Sequence, residues 1–374
     1  MVIRYIILKM KLQREADGGR IEESSKIAIA VHIEMIKDAI LWEPLADNKI
    51  RCFACSYRCI IPLDKLGHCR TRKNIDNKLR TLIYGTVTSV ASDPIEKKPL
   101  YHFYPGSYSY SMGSVGCNFT CEHCQNWTIS QTDIEQVYTL DIMPEDAVSN
   151  AIENRCKSIS WTYNEPSIWI EFTSDTARLC HEKDIKTVYV TNGYATTEHL
   201  EVMRGLLDAY RVDIKAFDKK FYNKVCGAKL DPVLESSRMA KDMGMHVEVV
   251  TLVIPGMNDS AEEITGLSKW IVDNLGHDTP VHFTRFHPMY QMDNLAPTPT
   301  ATLERAYDIA RDQGIKYVYL GNVPGHKYEN TWCPICGELL IDRSGFFVVN
   351  YRITKDKKCP NCGEIIPIVG EFGR

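Results

Sequence analysis

Three cysteines, Cys117, Cys121 and Cys124, stand in the stretch GCNFTCEHCQNW with the spacing C-x3-C-x2-C. Three thiolates are one short of the four that close a tetrahedral metal shell. They suit three corners of a cubane iron–sulfur cluster, whose fourth iron then stays open to a small molecule. An open coordination position marks a reactive metal more often than a structural one. Two other readings compete. One is a zinc ion completed by a remote ligand such as His123; the other is a set of unrelated buried thiols.

Two further clusters flank this one. Cys52, Cys55, Cys59 and Cys69 are spaced C-x2-C-x3-C-x9-C. Four thiolates close a shell, which points to structural zinc, with a second iron–sulfur cluster passing electrons inward as the rival. Near the end, Cys333, Cys336, Cys359 and Cys362 form two CPxCG knuckles. Such knuckles turn tightly so that backbone N–H groups face sulfur, and they indicate tetrahedral zinc, with rubredoxin-like iron as the alternative. So short a tail has little core and would depend on its metal to fold. Together the three clusters hold eleven of the 14 cysteines, a pattern that fits metals in a reducing cytoplasm better than disulfides. Cys156, Cys180 and Cys226 stand alone and read as buried thiols, Cys226 being the one that could face the site.

The elements that must position these residues alternate along the middle of the chain. Runs rich in β-branched and aromatic residues predict strands at Ser107–Val115, Lys157–Tyr163, Lys186–Asn192, Tyr210–Ala216, Met245–Ile254, Val281–Phe286 and Lys316–Asn322. Helical patterns fall between them, near Pro144–Arg155, Ile168–Lys183, Thr197–Ala209, Pro232–Met243, Ala261–Leu275 and Thr300–Gln313. The alternation predicts an α/β fold of about six βα units, a full or partial barrel ahead of an open doubly wound sheet. In either fold the chemistry belongs at the C-terminal ends of the strands. The three-cysteine loop follows the first core strand directly. A helical pattern near Glu22–Leu41 precedes the N-terminal cysteines, and the apolar opening MVIRYIILKM predicts a docked helix or edge strand.

With loop and barrel taken together, CNFTCEHC resembles the signature of radical S-adenosylmethionine (SAM) enzymes. The longer stretches CFACSYRCIIPLDKLGHCRTR and DPIEKKPLYHFYPGSYSYSMGSVGCNFTCEHCQNWTISQ resemble the AmmeMemoRadiSam-system radical SAM enzymes, relatives of the pyruvate formate-lyase activating enzymes. The match runs from about Arg51 to Gly325. It implies a partial (β/α)6 radical SAM barrel over residues 101–326. An N-terminal region, 1–100, would carry the four-cysteine element at 52–69, and a zinc-ribbon or rubredoxin-like appendage would occupy 327–374. It implies a [4Fe–4S] cluster on Cys117, Cys121 and Cys124, with the amino and carboxylate groups of SAM on the open iron.

By the same resemblance, Asn164 and Glu165 in YNEP would accept from the SAM ammonium, unless that segment is a turn in which Glu165 caps the next helix. Thr191 and Asn192 in TNGY, with Asp213 and Lys215 in DIK, would lie near the methionine end, Lys215 donating to the carboxylate. The plainer reading of DIK is a surface ion pair. His123 would stack on adenine. Asn258 or Glu262 would meet the ribose, and His287 would line the substrate opening. A reduced ferredoxin or flavodoxin-type donor and a protein or peptide substrate are implied as partners. The alternatives are radical modification of a small metabolite and a non-catalytic iron–sulfur electron-transfer or assembly protein.

The whole-chain composition fits a soluble globular protein of 374 residues, with 44% apolar and 25% charged residues and a net charge of −4, and the clustered cysteines place it in the cytoplasm as an expectation. It carries no basic excess calling for nucleic acid. The opening segment is too short, and too interrupted by Arg4 and Lys9, to span a membrane or act as a signal peptide. The basic run RTRKNIDNKLR reads as a solvated face.

Overall fold

The computed structural model describes residues 35–373. Its centre is an eight-stranded sheet of β1 (Ser89–Pro94), β2 (Tyr108–Gly113), β3 (Ser158–Trp161), β4 (Lys186–Thr191), β5 (Ala209–Asp213), β6 (His246–Val253), β7 (Val281–Arg285) and β8 (Val318–Gly321). The strands lie across the sheet in chain order, and β2 to β8 are all parallel. Six helices make the crossovers: α1 (Pro144–Glu153), α2 (Ile170–Glu182), α3 (Thr197–Met203), α4 (Leu230–Asp242), α5 (Ala261–Leu275) and α6 (Thr300–Asp312). Parallel strands covered on both faces are buried throughout, and β3 is buried at every residue, its two serines included. The sheet is concave, because side chains of β4, β5, β6, β7 and β8 line one cavity. This is the α/β architecture of a partial (β/α)6 barrel, with every strand and helix of the alternating pattern in place.

Local chemistry sets the boundaries. Pro144 opens α1, where its missing N–H leaves no bond unmade. Ser260 caps α5 by accepting from the Glu263 N–H. Helix α3 stops at Met203, short of the predicted Ala209, and is followed by Gly205 at φ +70°. Strand β1 was not anticipated. It runs antiparallel to β2 at the sheet edge, so the sheet starts at Ser89, inside the stretch assigned to the N-terminal region.

The four N-terminal cysteines sit among short antiparallel strands packed around Ile50, Ala54, Ile61 and Leu79. The helix expected near Glu22–Leu41 does not form in its described part: Lys37–Asp38 is instead a strand paired with Arg80 and Thr81. The remainder of that pattern, and the apolar opening, lie outside the described residues. Two contacts fasten this element to the barrel. Arg72, buried, pairs with Glu171 of α2 at 2.5 Å. Cys55 bridges to Ala195, just beyond β4.

After β8 comes an antiparallel ribbon of β9 (Thr331–Trp332), β10 (Leu339–Ser344) and β11 (Phe347–Tyr351). Its core joins Leu340, Ile341, Ile353 and Ile366 to Tyr101, Tyr317 and Tyr319 of the barrel side. Arg343 enters this seam and donates to the carbonyl of Tyr101 at 3.0 Å and to the Thr331 hydroxyl at 2.8 Å. Among the described residues, no helix is long and apolar enough to cross a membrane.

Candidate active site

Cys117, Cys121 and Cys124 follow β2 and line a cavity of about 330 Å³ at the C-terminal ends of the strands. The loop is held by its neighbours' backbone and amide groups. Thr120 and Glu122 donate N–H to the carbonyls of Cys226 and Val225 at 3.0 Å. The Phe119 N–H points at the Cys117 sulfur at 3.3 Å. At Gly116, φ is +80°, and an added Cβ would lie 2.8 Å from the carbonyl oxygen of Cys69, so only glycine fits this step.

The same cavity is lined by His123, Asn126, Tyr163, Asn164, Thr191, Asn192, Arg211, Asp213 and Lys215. The structure therefore gathers His123, Asn164, Thr191, Asn192, Asp213 and Lys215 around the three cysteines. Glu165 does not line this cavity, and the capping alternative describes its bonds. Its buried carboxylate takes the Ser167 N–H at 2.9 Å, the Thr191 hydroxyl at 2.7 Å and the Asn192 N–H at 2.7 Å. It caps the turn before α2 and fixes the TNGY segment. Asn164 is likewise engaged by protein, accepting from Ser114 N–H at 3.1 Å and donating to Gly116 O at 2.9 Å. It clamps the start of the cysteine loop. Tyr163, at φ +71°, makes the turn that allows this.

Arg211, Asp213 and Lys215 alternate along β5 and its end, so all three face inward. Lys215 Nζ lies 3.2 Å from Asp213 Oδ2, and Arg211 binds the other carboxylate oxygen. Burial raises the Asp213 pKa, but the Arg211 and Lys215 charges outweigh it and hold the carboxyl below its ordinary range. Burial alone would lower the Lys215 pKa; the Asp213 carboxylate and the Cys121 sulfur outweigh it and keep the amine charged. Thus the plain ion-pair reading of DIK holds, but inside the cavity instead of on the surface. Asn192 donates to Asn118 at 2.7 Å and reaches the Cys117 sulfur at 3.8 Å.

Other expected contacts fall elsewhere. Asn258 is buried and ties Ile254, Lys215 and Leu252 together through its amide, and Glu262 and His287 are exposed away from the cavity. Residues missing from the sequence reading include Arg211 and Asn126, which donates to Tyr163 O at 2.7 Å. The two-residue step to Asp213 could have revealed Arg211; nothing local points to Asn126. Cys226 is placed against the loop, its carbonyl accepting the Thr120 N–H at 3.0 Å.

The donor set fits an iron–sulfur cluster with a polar organic ligand. Burial pushes the Cys117 and Cys124 thiols up, and binding to a cationic metal core would draw all three cysteines to thiolate. Both ring nitrogens of His123, only 5% exposed, lack a protein partner at the cavity wall. The C-terminal cysteines fit a single ion. Cys333 and Cys362 sulfurs lie 3.5 Å apart, and those of Cys336 and Cys359 3.6 Å. Each knuckle closes the same way, with Gly337 N–H on Cys333 O and Gly363 N–H on Cys359 O, both at 3.0 Å.

A family model for the Radical SAM superfamily matches residues 112–267. The chain is 45% identical over 338 residues to an uncharacterised protein of Methanocaldococcus jannaschii, covering 89% of this chain and 100% of that one. It is 22% identical to a pyruvate formate-lyase-activating enzyme of Staphylococcus epidermidis, over 53% of this chain and 86% of that one. Among solved structures, a radical SAM methyltransferase from Sphaerobacter thermophilus aligns with a TM-score of 0.46 and 14% identity, covering 80% of this chain and 81% of that one. The chain belongs to the radical SAM superfamily.

Proposed function

We propose that this chain is a radical SAM oxidoreductase that acts on a protein or peptide. Cys117, Cys121 and Cys124 would hold a [4Fe–4S] cluster whose open iron would take SAM, and the bound pair would supply one-electron radical chemistry for hydrogen abstraction. The observation that carries this reading is one cavity lined jointly by the three loop cysteines, Asn192, Asp213 and Lys215.

The chain's residues do the positioning. Lys215, charged and aimed by Asp213, meets the SAM carboxylate. Asn192 sits beside Cys117 and offers its amide to the amino-acid end. His123 presents an unpartnered ring to the adenine. Glu165 acts through others, since it fixes Thr191 and Asn192, and Asn164 acts by clamping the loop. Val190, Val250 and Leu252 line the deeper cavity and exclude water from the reacting centre. No proton transfer is required of these groups.

A macromolecular target is supported by the relative whose name makes pyruvate formate-lyase the thing it activates. The electron then comes from a reduced ferredoxin or flavodoxin-type protein. Around this centre stand the N-terminal four-cysteine element and a C-terminal ribbon built on one zinc ion. The test is anaerobic: iron and sulfide are reconstituted, then SAM and dithionite are added and 5′-deoxyadenosine is measured. Release of that nucleoside, lost in Lys215→Ala at unchanged iron content, supports the proposal. Equal release from the variant overturns the assignment of Lys215.

A further inference from the structure

Cys52, Cys55, Cys59 and Cys69 line one small cavity together with Ala54, Ile61, Gly67, Arg72 and Ile168. Their spacing differs from that of the C-terminal set. A tetrahedron of ~2.3 Å Zn–S bonds brings sulfurs within about 4 Å of one another, as Cys333, Cys336, Cys359 and Cys362 are. Among the described residues, those four are the one group of three or more such side chains whose ligand atoms all lie within 4.8 Å of one another. The N-terminal four surround a common space, but no three of them meet that 4.8 Å spacing, and neither do Cys117, Cys121 and Cys124. Wider separation suits a cubane, in which each thiolate binds a different iron and sulfides fill the space between.

A second observation concerns Arg72. Its guanidinium lies against the cavity and is 1% exposed. One nitrogen binds Glu171, yet Nε and Nη1 have no partner among the described residues. Buried donors without acceptors are costly. Bridging sulfides are acceptors that a lone zinc ion does not bring. Two further donors already reach the ligand sulfurs: the Thr71 hydroxyl contacts Cys69 at 3.2 Å and the His68 N–H contacts Cys59 at 3.5 Å.

The third observation is place. The Cys69 carbonyl presses on Gly116, the residue before Cys117. Tyr57, two residues after Cys55, stacks on His68 at 4.0 Å and packs against Tyr194 at 5.2 Å. The Ser56 N–H binds the Tyr194 carbonyl at 2.9 Å. The two cysteine sets thus share a wall, and Cys59, half-buried, stands on the solvent side.

We propose that Cys52, Cys55, Cys59 and Cys69 hold a second iron–sulfur cluster that relays single electrons to the loop site. It takes one electron from the ferredoxin or flavodoxin-type donor and returns to its oxidised state when that electron moves inward. The relay role rests on the function proposed above; the identity of the metal does not.

Acid-labile sulfide decides the matter, because the C-terminal set is spaced for a single ion, which would bring no sulfide. The C117A/C121A/C124A variant, reconstituted anaerobically, is expected to keep about four irons and four sulfides per chain and to give a paramagnetic signal on reduction. The unaltered chain should hold about eight sulfides, which guards against misfolding of the variant. When both sites are reduced together, their electron paramagnetic resonance lines should broaden each other. Zinc without sulfide in the variant, with about four sulfides in the unaltered chain, would overturn the cluster. Two independent, unbroadened signals would overturn the relay. None of these readouts requires SAM cleavage, so failure of the proposed function is seen separately.

Discussion

Lys215 shows how a single residue can be legible in role and hidden in setting. The step from Asp213 to Lys215 puts both on one strand face, which follows directly from the alternation of side chains along a strand. That Arg211 shares the carboxylate, and that all three face the cysteines, depends on where β5 lies in the sheet. Asp213→Asn removes the charge that aims two cations, so SAM affinity should fall by about 10- to 100-fold, read by isothermal titration under anaerobic conditions. Glu165 and Asn164 have side chains that suit an ammonium, and Glu165 equally suits a helix cap. Their bonds to Asn192, Ser114 and Gly116 join segments distant in the chain, and no local pattern encodes such partners. Glu165→Gln should therefore leave the cluster loaded while weakening SAM binding, measured on the same reconstituted samples. Gly116→Ala should lower iron content at the loop, since its Cβ would strike the Cys69 carbonyl and Thr71.

Among the elements, the seven parallel strands were readable because buried strands are continuous β-branched and aromatic runs. Strand β1 was not, because SVASDP is short, polar and ends in proline; it exists by pairing with β2. The N-terminal element holds to the barrel through the Arg72–Glu171 pair, in which both side chains are less than 5% exposed. Removing one partner of a buried pair leaves a stranded charge. Glu171→Ala should destabilise the fold by about 3–5 kcal/mol, seen as a lower midpoint in urea unfolding followed by fluorescence. Arg72→Met in the same background should restore part of the loss, because the stranded charge goes with it.

At the scale of the molecule, three cysteine sets are arranged around one sheet, and the ribbon is sealed to it by Arg343, Tyr101 and His102. His102 is buried, with its ring 2.7 Å from the Tyr319 hydroxyl and 3.3 Å from the Pro367 carbonyl. Burial lowers its pKa to about 3, and the same cause lowers that of His199 to about 3. Between pH 3 and 6.5 the unfolded chain binds more protons at these sites than the folded one. Stability must then fall as pH drops below about 6.5, by up to about 1.4 kcal/mol per unit for each histidine. Thermal unfolding between about pH 5 and 7 checks this, and His102→Asn should flatten the slope. The three-part organisation was legible from cysteine spacing and βα alternation. How closely the N-terminal cysteines approach the loop was not, because that depends on the Gly116–Cys69 contact.

The most direct measurement is electron paramagnetic resonance of the reduced, anaerobically reconstituted chain before and after SAM is added. Binding at an open iron of the Cys117–Cys121–Cys124 site predicts a changed signal, followed by stoichiometric 5′-deoxyadenosine. An unchanged spectrum with intact SAM, at full iron loading, would contradict the account.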